Sequence, residues 1–172
     1  MSTTSVISGS APVRSWSTGA TWFGLAVWLG LCYAAMAFGG IFGADAWYAA
    51  LRKPTWTPPN WVFPVVWPVL YTLMGIAAWL VWRKSGFAGA PWALGLFLAQ
   101  LTFNAAWSYL FFGLHRMDLA LVDITALWLL IAATIVTFRR HSVYAAALLV
   151  PYFLWVSFAA ALNEMILIMN MG

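Results

Sequence analysis

Five apolar stretches, each close to the roughly 20 residues a helix needs to cross a bilayer core about 30 Å thick, divide this chain between sparse charges. They run Thr21 to Phe42, Trp61 to Trp82, Ala90 to Phe112, Leu119 to Phe138 and Val143 to Met169. Backbone polar groups inside lipid must be satisfied within their own segment, so each stretch is expected to be a helix. Only 7% of the residues are charged, against about 25% in a soluble globular domain, which excludes a soluble fold. The expectation is an all-α membrane protein, a bundle of five transmembrane helices occupying residues 20–172, preceded by a polar Ser/Thr-rich tail over residues 1–19 that is expected to be disordered.

The connections Arg83 to Gly89, Gly113 to Asp118 and Arg139 to Ser142 have room only for helix hairpins. The first connection, Gly43 to Asn60, is longer. It offers a short helix from Asp45 to Leu51 with Asp45 as its cap, and then Lys53, Pro54 and the Pro58/Pro59 pair, where helix is forbidden. It is expected to form a structured lid. A secretory signal competes for the N-terminus, since Arg14 precedes an apolar run and Ala35-Met36-Ala37 mimics a cleavage site; the run continues to Phe42 and is too long for one. Arg14, Arg83, Lys84, Arg139 and Arg140 outnumber Arg52, Lys53 and Arg116 on the other face, which favours a cytoplasmic N-terminus. The basic residues sit singly or in pairs, so no nucleic-acid surface is expected. Cys32 stands alone and cannot form an internal disulfide.

Polar and aromatic residues at helical spacing mark the candidate site. Gln100, Asn104 and Trp107 share one face of the third stretch, Trp155, Ala159 and Asn163 one face of the fifth, and Phe63, Trp67 and Tyr71 one face of the second. Each face joins an aromatic ring to a hydrogen-bonding group. The plainer role for the amides is to tie helices together, through bonds worth about 0.6 kcal/mol on average. Trp22, Trp61, Trp82 and Trp92 lie at span ends, where an indole suits the membrane interface. Asp123, one turn into the fourth stretch, needs an ion pair with Arg116 or a bond from a neighbouring helix, or else serves a ligand or a proton; Glu164 is expected at the interface. No nucleophile-base arrangement, phosphate-binding glycine loop or metal-spaced cluster appears, and His115 and His141 fall in separate turns. Gly95/Ala99 and Gly39/Gly43 are small-xxx-small pairs of the kind that seat one membrane helix against another, and the first pair is the expected seam of a homodimer.

The run Trp47-Tyr48-Ala49-Ala50-Leu51-Arg52-Lys53-Pro54-Thr55-Trp56-Thr57-Pro58-Pro59-Asn60-Trp61-Val62-Phe63-Pro64-Val65-Val66-Trp67-Pro68-Val69-Leu70-Tyr71 closely resembles the tryptophan-rich sensory protein (TspO) family, whose animal members are called translocator protein or peripheral benzodiazepine receptor. The resemblance continues through Gln100 to Trp107, Phe111 to Gly113, Ala120 to Asp123, Pro151 to Trp155 and Leu162-Asn163. It implies a five-helix bundle, often dimeric, that binds protoporphyrin IX or a related tetrapyrrole and drug-like apolar ligands in a pocket closed by the first loop, with porphyrin as ligand and no cofactor or metal. It places Trp56 and Trp61 at the loop and pocket rim, Trp67 and Tyr71 on the pocket walls, Asn104 and Trp107 on the wall from the third helix, and Trp155, Ala159 and Asn163 on that from the fifth, with Phe63 and Gln100 added as ligand-binding candidates by the spacing above. Bacterial relatives that degrade bound porphyrin in light make Trp67 and Trp155 the catalytic candidates. The implied functions are a tetrapyrrole-binding sensor or regulator, a light-dependent porphyrin-degrading enzyme, or a transporter of small apolar molecules, in lipid of a bacterial inner or outer membrane.

Two departures from the family pattern stand out. Asn163 is followed by Glu164-Met165-Ile166-Leu167-Ile168, without the tyrosine and basic residue of the cholesterol-recognition pattern in vertebrate relatives, which argues against cholesterol. Thr55 stands where some bacterial relatives carry a loop tryptophan, leaving Trp56 as its nearest counterpart.

Overall fold

The computed structural model describes residues 17–171, and the greater part of the segment expected as a polar tail lies outside them. Among the described residues there are six α-helices: α1 (Thr18–Ile41), α2 (Ala46–Ala50), α3 (Val62–Gly89), α4 (Pro91–Ser108), α5 (Met117–His141) and α6 (Val143–Asn170). Among the described residues five helices are long and apolar enough to cross a membrane, namely α1, α3, α4 with its extension to Gly113, α5 and α6. The five-span expectation holds, and no strand occurs among the described residues.

Local chemistry sets the ends. The Ser17 hydroxyl accepts from Ala20 N at 3.3 Å to open α1, and Ser142 does the same for Ala145 N at 3.2 Å at the start of α6. Pro91 begins α4, where a missing N–H is harmless. Arg139, Arg140 and His141 close α5, at the end where the helix dipole favours cations. The helices overrun the expected stretches. α1 begins at Thr18, α3 continues through Arg83 to Gly89, and α5 extends from Met117 to His141, so the segments expected as connections are largely helical. Charge ends the lipid-compatible stretch but not the hydrogen-bond ladder. The α3 ladder breaks instead at Gly86, whose φ of 65° is a left-handed conformation that glycine adopts without strain.

After Ser108 the chain widens into a π-helical turn, Tyr109–Gly113, closed by Leu114 N donating to Tyr109 O at 2.8 Å. The spanning helices pack in a closed ring in the order α1, α3, α6, α5, α4. α1 lies close to α3 because Gly24 and Gly75 have no side chain: a Cβ at Gly24 would sit 2.1 Å from the Trp82 ring, and one at Gly75 would sit 2.8 Å from Leu29. The half of the ring near Arg83 and Arg139 is solid, filled by Val81, Leu94, Phe97, Ile131, Phe138 and Leu149, with Phe97 and Phe138 stacked at 5.9 Å. The half beneath the α1–α3 loop is hollow.

Candidate functional site

The hollow half holds a cavity of about 630 Å³, within the range of small-molecule sites. Its walls come from the last turns of α1, the first three turns of α3, the end of α4 with the π turn, and the second half of α6, while Ile124 and Leu127 of α5 close the back. Phe63, Trp67, Tyr71, Asn104, Trp107, Trp155, Ala159 and Asn163 all line it, so the three helical faces expected from spacing converge.

One wall is aromatic. Trp67 and Trp155 meet edge to face at 6.3 Å, Phe63 packs on Trp155 at 5.9 Å, and Phe158 continues the surface 5.7 Å beyond. The loop reaches this wall through Trp56, which meets Phe158 edge to face at 5.6 Å. Opposite, Trp107 stacks on Phe111 at 5.1 Å.

The two buried amides on the cavity wall, Asn104 and Asn163, are already engaged. The Tyr71 hydroxyl donates to Asn104 Oδ1, and Asn104 Nδ2 donates to the Tyr152 hydroxyl at 2.8 Å, linking α3, α4 and α6. Asn163 Oδ1 accepts from Trp107 Nε1 at 3.0 Å, and its Nδ2 donates to Met117 O at 3.0 Å. With these groups satisfied by protein, the cavity presents mostly ring faces and aliphatic surface. Such a site holds a flat apolar molecule by stacking and offers few polar points to orient it. The buried Trp155 indole N–H has no protein partner among the described residues, which leaves one donor in the aromatic wall.

The lid is built as the prolines and the cap predict. The Asp45 carboxylate accepts from Tyr48 N at 2.9 Å to start α2, and this bond, joined by the charge of His115 at 3.3 Å, holds the Asp45 carboxyl below its ordinary range. Tyr48 lines the cavity, packs on Phe112 at 5.4 Å, and carries Lys53 over its ring; burial pushes its phenol up. Trp47 stacks on His115 at 4.1 Å. The loop is clasped to the end of α6 by Asn170, which accepts from Arg52 N at 3.0 Å and donates to Arg52 O at 2.9 Å.

Three expected site residues stand apart from the lining. Gln100 is fully buried one turn below Asn104, towards the solid half, and neither end of its carboxamide has a partner among the described residues. Trp61 is 69% exposed at the start of α3, which suits an interfacial indole, and Trp56 lies outside the lining and meets the rim at Phe158. Asp123 is buried off the cavity, while Arg116, one of its suggested partners, instead grips Asp118 at 2.6 and 2.8 Å. Glu164 is exposed, as an interfacial carboxylate should be. Sequence reasoning missed Tyr152, Phe158, Phe111 and Phe112. The first two were within reach, since each lies three residues from Trp155 on α6.

Among the described residues no group of three His, Cys, Asp or Glu is placed to hold a metal ion. The model of the TspO/MBR family matches residues 15–169. The tryptophan-rich sensory protein of Cereibacter sphaeroides is 40% identical over 142 residues, 83% of this chain and 88% of that protein. The tryptophan-rich protein TspO of Archaeoglobus fulgidus is 42% identical over 144 residues, covering 81% and 93%. The translocator protein of Homo sapiens is 45% identical over 119 residues, covering 68% and 70%. With the five apolar spans, these likenesses identify the chain as an integral membrane protein that belongs to the TspO/MBR family.

Proposed function

We propose that this protein binds a flat tetrapyrrole such as protoporphyrin IX beneath the α1–α3 loop and acts as a sensor or regulator of porphyrin metabolism or stress, in a membrane of a bacterial cell envelope. The observation that carries this reading is the cavity of about 630 Å³, walled by Phe63, Trp67, Trp107, Trp155 and Phe158, whose buried asparagines Asn104 and Asn163 are engaged by protein. Ring faces on two sides suit a planar aromatic ligand better than a flexible or strongly polar one. The name of the Cereibacter sphaeroides relative, a sensory protein, accords with a sensing role. Glu164, where the cholesterol pattern needs a tyrosine, speaks against a sterol. Transport gains little support from the helices, because the non-helical break inside α3, at Gly86, lies near the end of that helix rather than at mid-membrane.

A second reading, light-dependent degradation of the bound porphyrin, is favoured by one contact. Trp67 and Trp155 place two oxidisable indoles edge to face in the same wall. Titration of the protein with protoporphyrin IX, followed by tryptophan quenching, tests the binding site. Trp67→Ala and Trp155→Ala are each expected to weaken affinity about thirtyfold, the effect of losing roughly 2 kcal/mol at a central aromatic anchor. Wild-type affinity in both folded variants overturns the site. Illumination of the complex separates the two functions: an unchanged porphyrin spectrum fits a binding protein, and its replacement by that of a new product means an enzyme.

A further inference from the structure

At the end of the bundle opposite the lid, a second concavity of about 530 Å³ lies where α3, α5 and α6 come together. Arg83, Lys84, Arg139 and Arg140 line it, with His141 and Ser142 between them. All four Arg and Lys side chains are exposed. Two of the basic groups, Arg83 and Lys84, are held in position. Arg83 stacks over the Trp79 ring at 4.5 Å, Lys84 Nζ donates to His141 O at 2.6 Å, and Ser85 Oγ bonds His141 Nδ1 at 3.0 Å. The N-terminus of the 28-residue α6 opens at the same place and adds the positive end of its dipole.

No Asp or Glu is among the described residues that line it. The chain has only four acidic residues. Asp45 pairs with His115 and Asp118 with Arg116, both at the lid end, while Asp123 and Glu164 lie in the lid-side halves of α5 and α6. Asp123 is about 24 Å along α5 from Arg139 at 1.5 Å per residue. The rim of the concavity is apolar and outward-facing: Val143 is 65% exposed and Tyr144 80% exposed, at the end of a membrane-crossing helix. A ligand that fits both parts carries negative charge at one end and hydrocarbon at the other.

We propose that this groove binds the phosphate headgroup of an anionic phospholipid, with Arg139 and Arg140 as its principal contacts and Val143 and Tyr144 against the upper part of the acyl chains. A free phosphate matches the cations and leaves the apolar rim unused, so the lipid is the better occupant. Basic pockets between membrane helices are a recurring site for such headgroups, and an arginine pair offers the forked donors that phosphate accepts.

Native mass spectrometry of the delipidated, full-length protein in detergent tests this, using phosphatidylglycerol and phosphatidylcholine with identical acyl chains. Phosphatidylglycerol is expected to bind at least tenfold more tightly. Each cation removed near a charged lipid is worth about a fivefold change, so Arg139→Gln/Arg140→Gln should lose on the order of twentyfold for phosphatidylglycerol and little for phosphatidylcholine. Arg139→Lys/Arg140→Lys, which keeps the charge, should stay within a few-fold of wild type. If the glutamine pair fails to fold, Arg140→Gln alone carries the test with about a fivefold loss. Equal affinity for the two lipids, or an unchanged preference in the glutamine variants, overturns the proposal. So does displacement of the lipid by inorganic phosphate at comparable concentration, which would assign the groove to a soluble anion.

Discussion

The indole N–H of Trp107 on α4 donates to the side chain of Asn163 on α6 at 3.0 Å, and the same carboxamide donates to the Met117 carbonyl at the start of α5. One buried amide therefore ties three spans together directly beneath the lid. Asn163→Ala leaves the Trp107 indole donor without its partner and takes a second bond from the Met117 carbonyl, which keeps its helical one, and stability is expected to fall by about 1–2 kcal/mol. Thermal unfolding in detergent, run as a double-mutant cycle with Trp107→Phe, isolates the pair. A coupling energy indistinguishable from zero means that the bond contributes nothing.

Gln100 presents the opposite case, a buried carboxamide with no partner among the described residues. Replacing an unsatisfied buried polar group by an apolar one of similar size removes a desolvation penalty, so Gln100→Leu is expected to leave stability unchanged or raise it by about 1 kcal/mol. Porphyrin affinity should not move, because Gln100 lies outside the cavity lining. A destabilisation above about 1 kcal/mol contradicts this and points to a partner for Gln100 in the membrane-embedded protein.

Lid retention rests on Asn170 and on the Asp45 cap. Asn170→Ala removes both bonds to Arg52 and should speed porphyrin release several-fold in stopped-flow measurements while changing thermal stability little; equal release rates refute the clasp. Asp45 adds a pH dependence. Its folded carboxyl sits below the ordinary value of 3.8, so its contribution to lid structure is complete above that value and is lost as pH falls through the lower folded one. Hydrogen exchange across Ala46–Ala50, corrected for the intrinsic pH dependence of exchange, should therefore show constant protection from about pH 5 upwards as far as Asp45 governs it. Protection should fall in acid for wild type, and Asp45→Asn should flatten that fall.

Association into a homodimer through α4 is the fourth expectation. A Cβ at Gly95 would meet no atom of the described residues within 4 Å, so this face is open among them, whereas Gly39 of the other small-residue pair lies against Ser108 of its own chain. Ala99→Leu should shift the protein towards monomer while sparing porphyrin binding. An undiminished dimer by light scattering in detergent and by crosslinking in lipid rules out this face.

What could be foreseen from sequence depended on whether it was encoded by spacing. The stripes Phe63/Trp67/Tyr71 and Trp155/Ala159/Asn163 converge on the cavity because residues four apart on a helix must share a face. Spacing says nothing about which stripe faces which, so the chain of bonds from Tyr71 through Asn104 to Tyr152 was not visible. The same gap let Gln100 resemble a site residue: it lies on the same face as Asn104 but one turn deeper, where the bundle is solid. The lid helix was legible because Asp45 and the prolines act locally. The extension of α3 to Gly89 was not, since the apolar pattern reports the thickness of lipid rather than the persistence of backbone hydrogen bonds.

The π turn at Tyr109–Gly113 accommodates one more residue per turn than the helix it extends, and that surplus fixes the angular phase of the side chains at the end of the span. Phe111 occupies the side on which Trp107, Trp47 and Tyr48 meet, with Phe112 beside it against Tyr48. Excising a single residue there would do more than trim a connection. It would turn the last side chains of the span by about 100°, swinging the platform on which the lid rests out of phase with the cavity below. The fit between cover and vessel is thus written in the parity of a count, and a one-codon deletion in this turn would undo it with every aromatic residue still present.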